Sequence, residues 1–220
     1  MKRSRLVLID DHTLMLQGLR AALEDRHDIV AMASTAEEGV VACRRFRPDL
    51  ALVDLSLPDA SGLELIQEIR SVTPKVKVMV VTMHLDRILA DAAIQSGAQG
   101  FVPKDADVEE LRHAVDQVLA GNEYVSPLVP GRQAFRSANR LMFGLSRLTP
   151  TQQRIVRLIG EGLSTRAIGR RLRISANTIT FHRTRIRQAL GLKDEWALLR
   201  HAILIRLLES DPRNRPARFL

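Results

Sequence analysis

The chain of 220 residues has a single cysteine, Cys43, and aromatic side chains make up only 4% of it. One thiol excludes a disulfide framework and a cysteine-based zinc site, and it fits a reducing compartment. Cys43 lies in a helical stretch and reads as a small buried apolar group. No apolar run approaches the roughly 18 residues that a membrane helix needs. The basic start, Met1 to Arg5, leads into four apolar residues, Leu6 to Ile9, too few for a signal-peptide core. The expected setting is therefore the cytoplasm, with no membrane partner. Acids are scarce in one half only. Residues 126–220 hold 5 Asp+Glu against 19 Lys+Arg, a balance of +14, whereas residues 1–125 hold 20 against 14, a balance of −6. Two domains of opposite charge follow, the second suited to a polyanion.

What is present in the acidic half is a repeat of short apolar runs and amphipathic segments. The runs are Leu6–Ile9, Ile29–Met32, Leu50–Val53, Val76–Val81 and Gly100–Val102. Helical patterns start near His12, Thr35, Gly62, Asp86 and Asp107, and Thr35 with Glu38 has the spacing of a capping box. Five such β-α units predict a doubly wound, five-stranded parallel sheet of the flavodoxin type, covered by helices on both faces.

In such sheets chemistry collects at the carboxyl ends of the strands. The third run stops at Asp54, before Leu55-Ser56-Leu57-Pro58 and Gly62. Alone, Asp54 reads equally well as a turn opener. The other strand ends decide it: Asp10-Asp11 after the first, Thr82 after the fourth, Pro103-Lys104 after the fifth. Three convergent carboxylates repel one another unless a cation joins them, and hard oxygen ligands suit Mg²⁺. A lysine can pair with a phosphoryl group and a threonine hydroxyl can hydrogen-bond it. A nucleophilic carboxylate, a divalent metal and an ammonium together describe phosphoryl transfer onto aspartate.

These residues, with Val81-Thr82-Met83 and Phe101-Val102-Pro103-Lys104, make residues 4–122 resemble the receiver domain of a two-component response regulator. The resemblance implies Asp54 as phosphoacceptor, with Mg²⁺ held by Asp10, Asp11, Asp54 and the backbone carbonyl of Ser56. It implies Thr82 as switch hydroxyl, Phe101 as switch aromatic and Lys104 as phosphoryl clamp. His84 reads as a loop residue, not a phosphate-relay histidine.

Residues 1–122 are thus expected to form the receiver and residues 123–146 a linker with one helical turn around Gln133–Asn139. The next domain covers residues 147–209, and residues 210–220 form a disordered tail rich in Pro and Arg. In the basic domain, Thr149 and Pro150 start one helix, Ser164 a second and Ser175 a third, which Gly191 closes; a fourth runs from Glu195 to Leu208. Two short helices joined by a tight turn make a helix-turn-helix pattern. At 100° per residue, Ile179, Ile186 and Leu190 form the buried stripe of the third helix. Asn177, Thr180, Phe181, Thr184 and Gln188 fall opposite and suit base edges, with Arg183, Arg185 and Arg187 flanking them for phosphates.

Leu148-Thr149-Pro150, Glu161-Gly162-Leu163-Ser164, Ile174-Ser175, Thr178-Ile179, His182-Arg183 and Leu190-Gly191-Leu192 make residues 148–205 similar to the four-helix output domain of LuxR-type regulators, the NarL/FixJ subfamily. Usual glutamates are Gln152 and Ala167 here, a usual lysine or glutamate is Asn177, and a commonly basic position is Thr180. The last puts the usual base contact in doubt. The resemblance implies duplex DNA as a ligand, a sensor histidine kinase as phosphodonor, a homodimer on phosphorylation and RNA polymerase as a candidate partner. Trp196, Leu199, Ile203 and Leu207 on the fourth helix could bury part of one face inside and offer the rest as a candidate dimer face, and core packing alone would explain most of this stripe. The reading is a transcription factor and not an enzyme in its own right. Two others stand beside it: an aspartate-based phosphohydrolase, disfavoured by the basic domain, and a DNA-binding regulator that keeps its receiver only as a phosphorylation-independent scaffold.

Overall fold

The computed structural model describes residues 3–130 and 145–210, apart from the side chains of residues 207, 208 and 210. The chain divides into two compact units, Met1–Gly131 and Arg132–Leu220. The first alternates strands and helices in the order β1 (Arg5–Ile9), α1 (Thr13–Leu23), β2 (Asp28–Ala33), α2 (Ala36–Phe46), β3 (Leu50–Val53), α3 (Gly62–Val72), β4 (Lys77–Thr82), α4 (Arg87–Gln95), β5 (Gly100–Pro103), α5 (Val108–Ala120) and β6 (Tyr124–Val125).

The strands lie in the order β2-β1-β3-β4-β5-β6, all parallel. β1 and β3 are apolar because both faces are covered: Leu6 to Ile9 and Leu50 to Val53 are all essentially inaccessible. The edge strand β2 is only half-buried. Strand order reverses at β1, which pairs with β2 on one side and β3 on the other, and this switch point leaves a crevice beyond the strand ends. Register then sets the site. Ile9 faces Val53 and Val53 faces Val80, so Asp10 and Asp54 emerge at one level.

The sheet has six strands where the sequence predicts five. β6 falls inside the stretch assigned to the linker, because two residues before Pro127 carry no readable periodicity. Tyr124 N–H donates to Gln99 O and Ser126 N–H to Phe101 O, pairing the exposed side of β5. The Ser126 hydroxyl donates to Glu110 on α5, which fixes the segment further. The remainder of the linker from residue 131 to 144, with the expected turn at Gln133–Asn139, and the tail from residue 211 onward lie outside the described residues.

The second unit contains α6 (Pro150–Gly160), α7 (Thr165–Leu172), α8 (Ala176–Leu190) and α9 (Glu195–Ser210). Thr149, Ser164 and Ser175 each cap the helix that follows them. Gln152, which replaces a usual glutamate, completes a reciprocal capping box: its side chain accepts from Thr149 N–H at 2.9 Å. Thr35 caps α2 as expected, but Glu38 reaches one residue further back, to the amide and hydroxyl of Ser34. The core of the unit is Ile155, Val156, Ile168, Ile179, Ile186, Leu198, Leu199 and Ile203.

Each unit buries one histidine. Burial lowers the pKa of His201 below 6.5; His27 is lowered mainly by burial, with nearby Arg26 and Arg3 assisting and Asp116 and Asp25 opposing. The unfolded chain therefore takes up protons first as pH falls below 6.5, and stability present above that pH is lost. Thermal melts at pH 5.5 are expected to fall below those at pH 7.5, and His201→Gln is expected to flatten the dependence in the second unit.

Candidate functional site

The crevice at the end of β1 and β3 gathers the predicted acids. Asp10 and Asp54 are 1% and 2% exposed, and Asp54 N–H donates to Ile9 O at 2.8 Å, so the sheet ladder itself aims both. Lys104 follows β5, anchored by its amide to Thr82 O at 2.7 Å. Its ammonium meets Asp10 Oδ2 at 2.6 Å and Asp54 Oδ2 at 2.8 Å. The contact with Asp54 is a hydrogen bond, whereas the one with Asp10 lacks its alignment. Burial alone would lower the Lys104 pKa; Asp10 and Asp54 more than reverse this and raise it, so the ammonium stays charged throughout the neutral range.

Asp54 Oδ1 is buried without a hydrogen-bond partner. Oxygens of Asp10, Asp11 and Asp54 and a nitrogen of His12 lie within 4.8 Å of one another. A hard divalent cation fits this donor set, because it would satisfy the orphaned oxygen and join carboxylates that one ammonium does not neutralise. His12 was not expected. Its Nδ1 lies 2.7 Å from Asp11 Oδ1 and its amide donates to Asp10 Oδ1 at 2.9 Å. Its position directly after Asp10-Asp11 is the only sequence signal for it.

The loop after Asp54 is held from two sides. Asp59 accepts from the Ala36 and Glu37 amides at the start of α2, at 2.9 and 3.2 Å. Gly62 lies so close to Leu55 that a Cβ there would sit 2.4 Å from Leu55 Cα. Ser56 is half-buried on this loop. Thr82 and Phe101 are inaccessible, and the Thr82 hydroxyl accepts from His84 N–H at 3.4 Å.

In the second unit, α7 and α8 form the expected helix pair. A Cβ on Gly169 would meet Ile174 O at 2.8 Å, so glycine permits the tight turn. Asn177, Thr180, Phe181, Thr184 and Gln188 are exposed along α8, Phe181 by 57%. Thr180 and Thr184 donate their hydroxyl protons to Ala176 O and Thr180 O, at 3.1 and 3.2 Å, so they turn acceptor oxygens and methyl groups outward.

The three flanking arginines differ from one another. Arg185 lies over the Phe181 ring at 5.3 Å. Arg183 is largely buried: it donates to Glu195 and, at 3.2 Å, to Thr165 on α7. Arg187 pairs with the other oxygen of Glu195 at 3.4 Å. Glu195 lies beyond the helix end, outside any periodicity that α8 carries. Of the candidate dimer face, Leu199 and Ile203 are buried in the unit's own core and Trp196 is half-buried. The Leu207 side chain lies outside the described residues.

Residues 6–116 match the family model of the response regulator receiver domain, and residues 146–202 that of bacterial regulatory proteins of the luxR family. The transcriptional regulatory protein MctR of Rhizobium johnstonii is 31% identical over 201 residues, covering 90% of this chain and 92% of that protein. The nitrate/nitrite response regulator NarL of Escherichia coli is 33% identical over 195 residues, covering 86% and 89%. The chain belongs to the NarL/FixJ family of response regulators. Among solved structures, a LuxR-family response regulator from Aurantimonas sp. SI85-9A1 matches with 33% identity and a TM-score of 0.56, over 58% of this chain and 93% of that one. An RcsB–DNA complex shares the fold at 22% identity, with a TM-score of 0.58 over 93% and 100%. This response regulator accordingly joins a receiver to a LuxR-type DNA-binding domain and acts in transcription. No helix among the described residues is long and apolar enough to cross a membrane.

Removing the Lys104 charge would leave two buried carboxylates without their ammonium. Lys104→Met is expected to cost about 3–5 kcal/mol at neutral pH. Millimolar Mg²⁺ is expected to recover part of the lost melting temperature by binding the carboxylates. Melts with and without Mg²⁺ check both outcomes.

Proposed function

We propose that this response regulator is phosphorylated on Asp54 by a sensor histidine kinase in the cytoplasm, and that the phosphoryl group controls dimerisation and sequence-specific DNA binding. The observation that carries the reading is the buried triad of Asp10, Asp54 and Lys104, in which the ammonium holds one Asp54 oxygen and leaves the other free. A free, buried carboxylate oxygen at a strand end is the nucleophile that phosphoryl transfer needs. Asp54 forms an O–P bond to the incoming phosphoryl group as the P–N bond of the phosphohistidine breaks, and the electron pair returns to the imidazole. Lys104 moves from pairing a carboxylate to pairing a phosphoryl oxygen, keeping its charge throughout. Asp10, Asp11 and Asp54, with the Ser56 carbonyl, would hold Mg²⁺, which would supply positive charge against the phosphoryl oxygens.

Thr82 then turns its hydroxyl to the phosphoryl group, and Phe101 fills the space it vacates. Repacking at β5 shifts the surface carried by α4, β5 and α5. Coupling of this kind is worth about 1–3 kcal/mol, a bias between two states. Asn177, Thr180, Phe181, Thr184 and Gln188 face base edges, with Arg185 beside them.

Labelled acetyl phosphate is expected to modify the wild type in the presence of Mg²⁺ and to leave Asp54→Asn unmodified. Mobility shifts on promoter fragments are expected to tighten about 5–150-fold on phosphorylation, the range such coupling spans. Full labelling of Asp54→Asn would refute the phosphoacceptor assignment. Equal DNA affinity with and without phosphodonor would refute the switch.

A further inference from the structure

One acid stands against α8 in a part of the chain that has few to spare. Residues 126–220 hold 5 Asp+Glu against 19 Lys+Arg, and Glu195 spends its charge on two arginines of α8. A carboxylate beside a helix that meets a polyanion repels it over about 8 Å at physiological salt. Its placement therefore opposes DNA binding, and it also withdraws cations from the helix that does the binding.

The two pairs are unequal. Arg183 donates to Glu195 and, at 3.2 Å, to the Thr165 hydroxyl, and its side chain is only 17% exposed. Thr165 begins α7 and Glu195 begins α9, so this cation is fixed among three helices. Arg187 Nε lies 3.4 Å from the other Glu195 oxygen, yet it has no hydrogen-bond partner among the described residues. That contact is Coulombic and lacks the directionality of a hydrogen bond, and the Arg187 side chain is 30% exposed. On a helix of 3.6 residues per turn, Arg187 also lies about 40° nearer than Arg183 to the face of Thr180, Thr184 and Gln188. Arg187 is therefore the cation that phosphate would recruit if Glu195 released it.

We propose that Glu195 restrains Arg187 and so limits how many phosphates α8 neutralises: with Glu195 in place, Arg187 makes no contact with the duplex backbone. Arg183 is the positioning residue that seats Glu195. The inference rests on the DNA-binding reading above and goes beyond it. Arg185, exposed over the Phe181 ring, stays available to phosphate on the same helix. Sequence-independent affinity and salt dependence both grow with each phosphate neutralised, whereas base edges carry the discrimination. Restraining one guanidinium therefore weakens binding to any duplex by one phosphate contact and leaves the neutral reading face unchanged.

The test is fluorescence anisotropy of the full chain with a labelled random-sequence duplex, across about 50–200 mM salt. Glu195→Gln keeps an acceptor for Arg183 but removes the charge, and is expected to steepen the slope of log affinity against log salt by about one. Arg187→Gln alone is expected to keep the wild-type slope, and Glu195→Gln combined with Arg187→Gln to return to it. A Glu195 with only a structural role would lower the melting temperature of Glu195→Gln without moving its slope, and that result overturns the proposal. A steepening that survives Arg187→Gln overturns it too, because the gain then comes from elsewhere. So does a slope lowered by Arg187→Gln while Glu195 is present, a measurement that does not depend on Glu195→Gln folding. A wild type that binds no duplex overturns the DNA-binding reading itself, and is told apart because its titration precedes every variant.

Discussion

Two carboxylates buried beside one ammonium are the constraint on which the first unit is built. Asp10, Asp11, Asp54 and Lys104 together carry a formal charge of −2, and Asp10, Asp54 and Lys104 are almost wholly shielded from water. In a low-dielectric crevice such a balance is tolerable only when the geometry is good and a further cation can join. The geometry comes from the sheet. Ile9, Val53 and Val80 stand in register across β1, β3 and β4, and Thr82 opposite Pro103 brings β5 level with them. A slip of one residue would turn every side chain of a strand to the other face and scatter the triad. The apolar runs that specify the register are therefore as necessary to the chemistry as the acids.

The same strand that carries Lys104 also carries Phe101, and Phe101's carbonyl accepts from Ser126 just past β6. Glu110 of α5 binds the Ser126 hydroxyl, and the Ser126 oxygen in turn accepts from the Leu128 amide at 3.1 Å. The polypeptide leaving the receiver is thus tied by main-chain bonds to the strand that the proposed switch repacks.

Much of this was legible in the sequence where physics is local. Strand ends, helix caps at Thr35, Asp86, Asp107, Thr149, Ser164 and Ser175, and the joint presence of Asp10, Asp54, Thr82 and Lys104 all follow from spacing and residue chemistry. What escaped depends on partners far apart or on too few residues. β6 is two residues long and exists because β5 offers it a free edge. His12 gains meaning only once two neighbouring carboxylates turn toward it. Arg183 and Arg187 share a helix with the polar face and project beside it at 100° per residue, yet Glu195 captures both across the helix end. Leu199 and Ile203, whose spacing core packing already explains, are buried in the second unit's own core.

That capture changes how the second unit divides its labour. Phosphate attraction supplies affinity at any sequence, whereas base contacts supply discrimination, and the two need not come from the same helix face. A cation on the reading face would add affinity to every site it touches, matched or not. Here Thr180 and Thr184 spend their protons on the helix backbone, so in the proposed reading their oxygens would serve as acceptors for the amino groups of adenine or cytosine and their methyl groups would meet thymine. Those contacts are weak singly and fail sharply when the wrong base presents an acceptor or leaves the oxygen unpaired. Arg185, which lies over the Phe181 ring on the same helix, keeps one cation beside those acceptors and methyl groups.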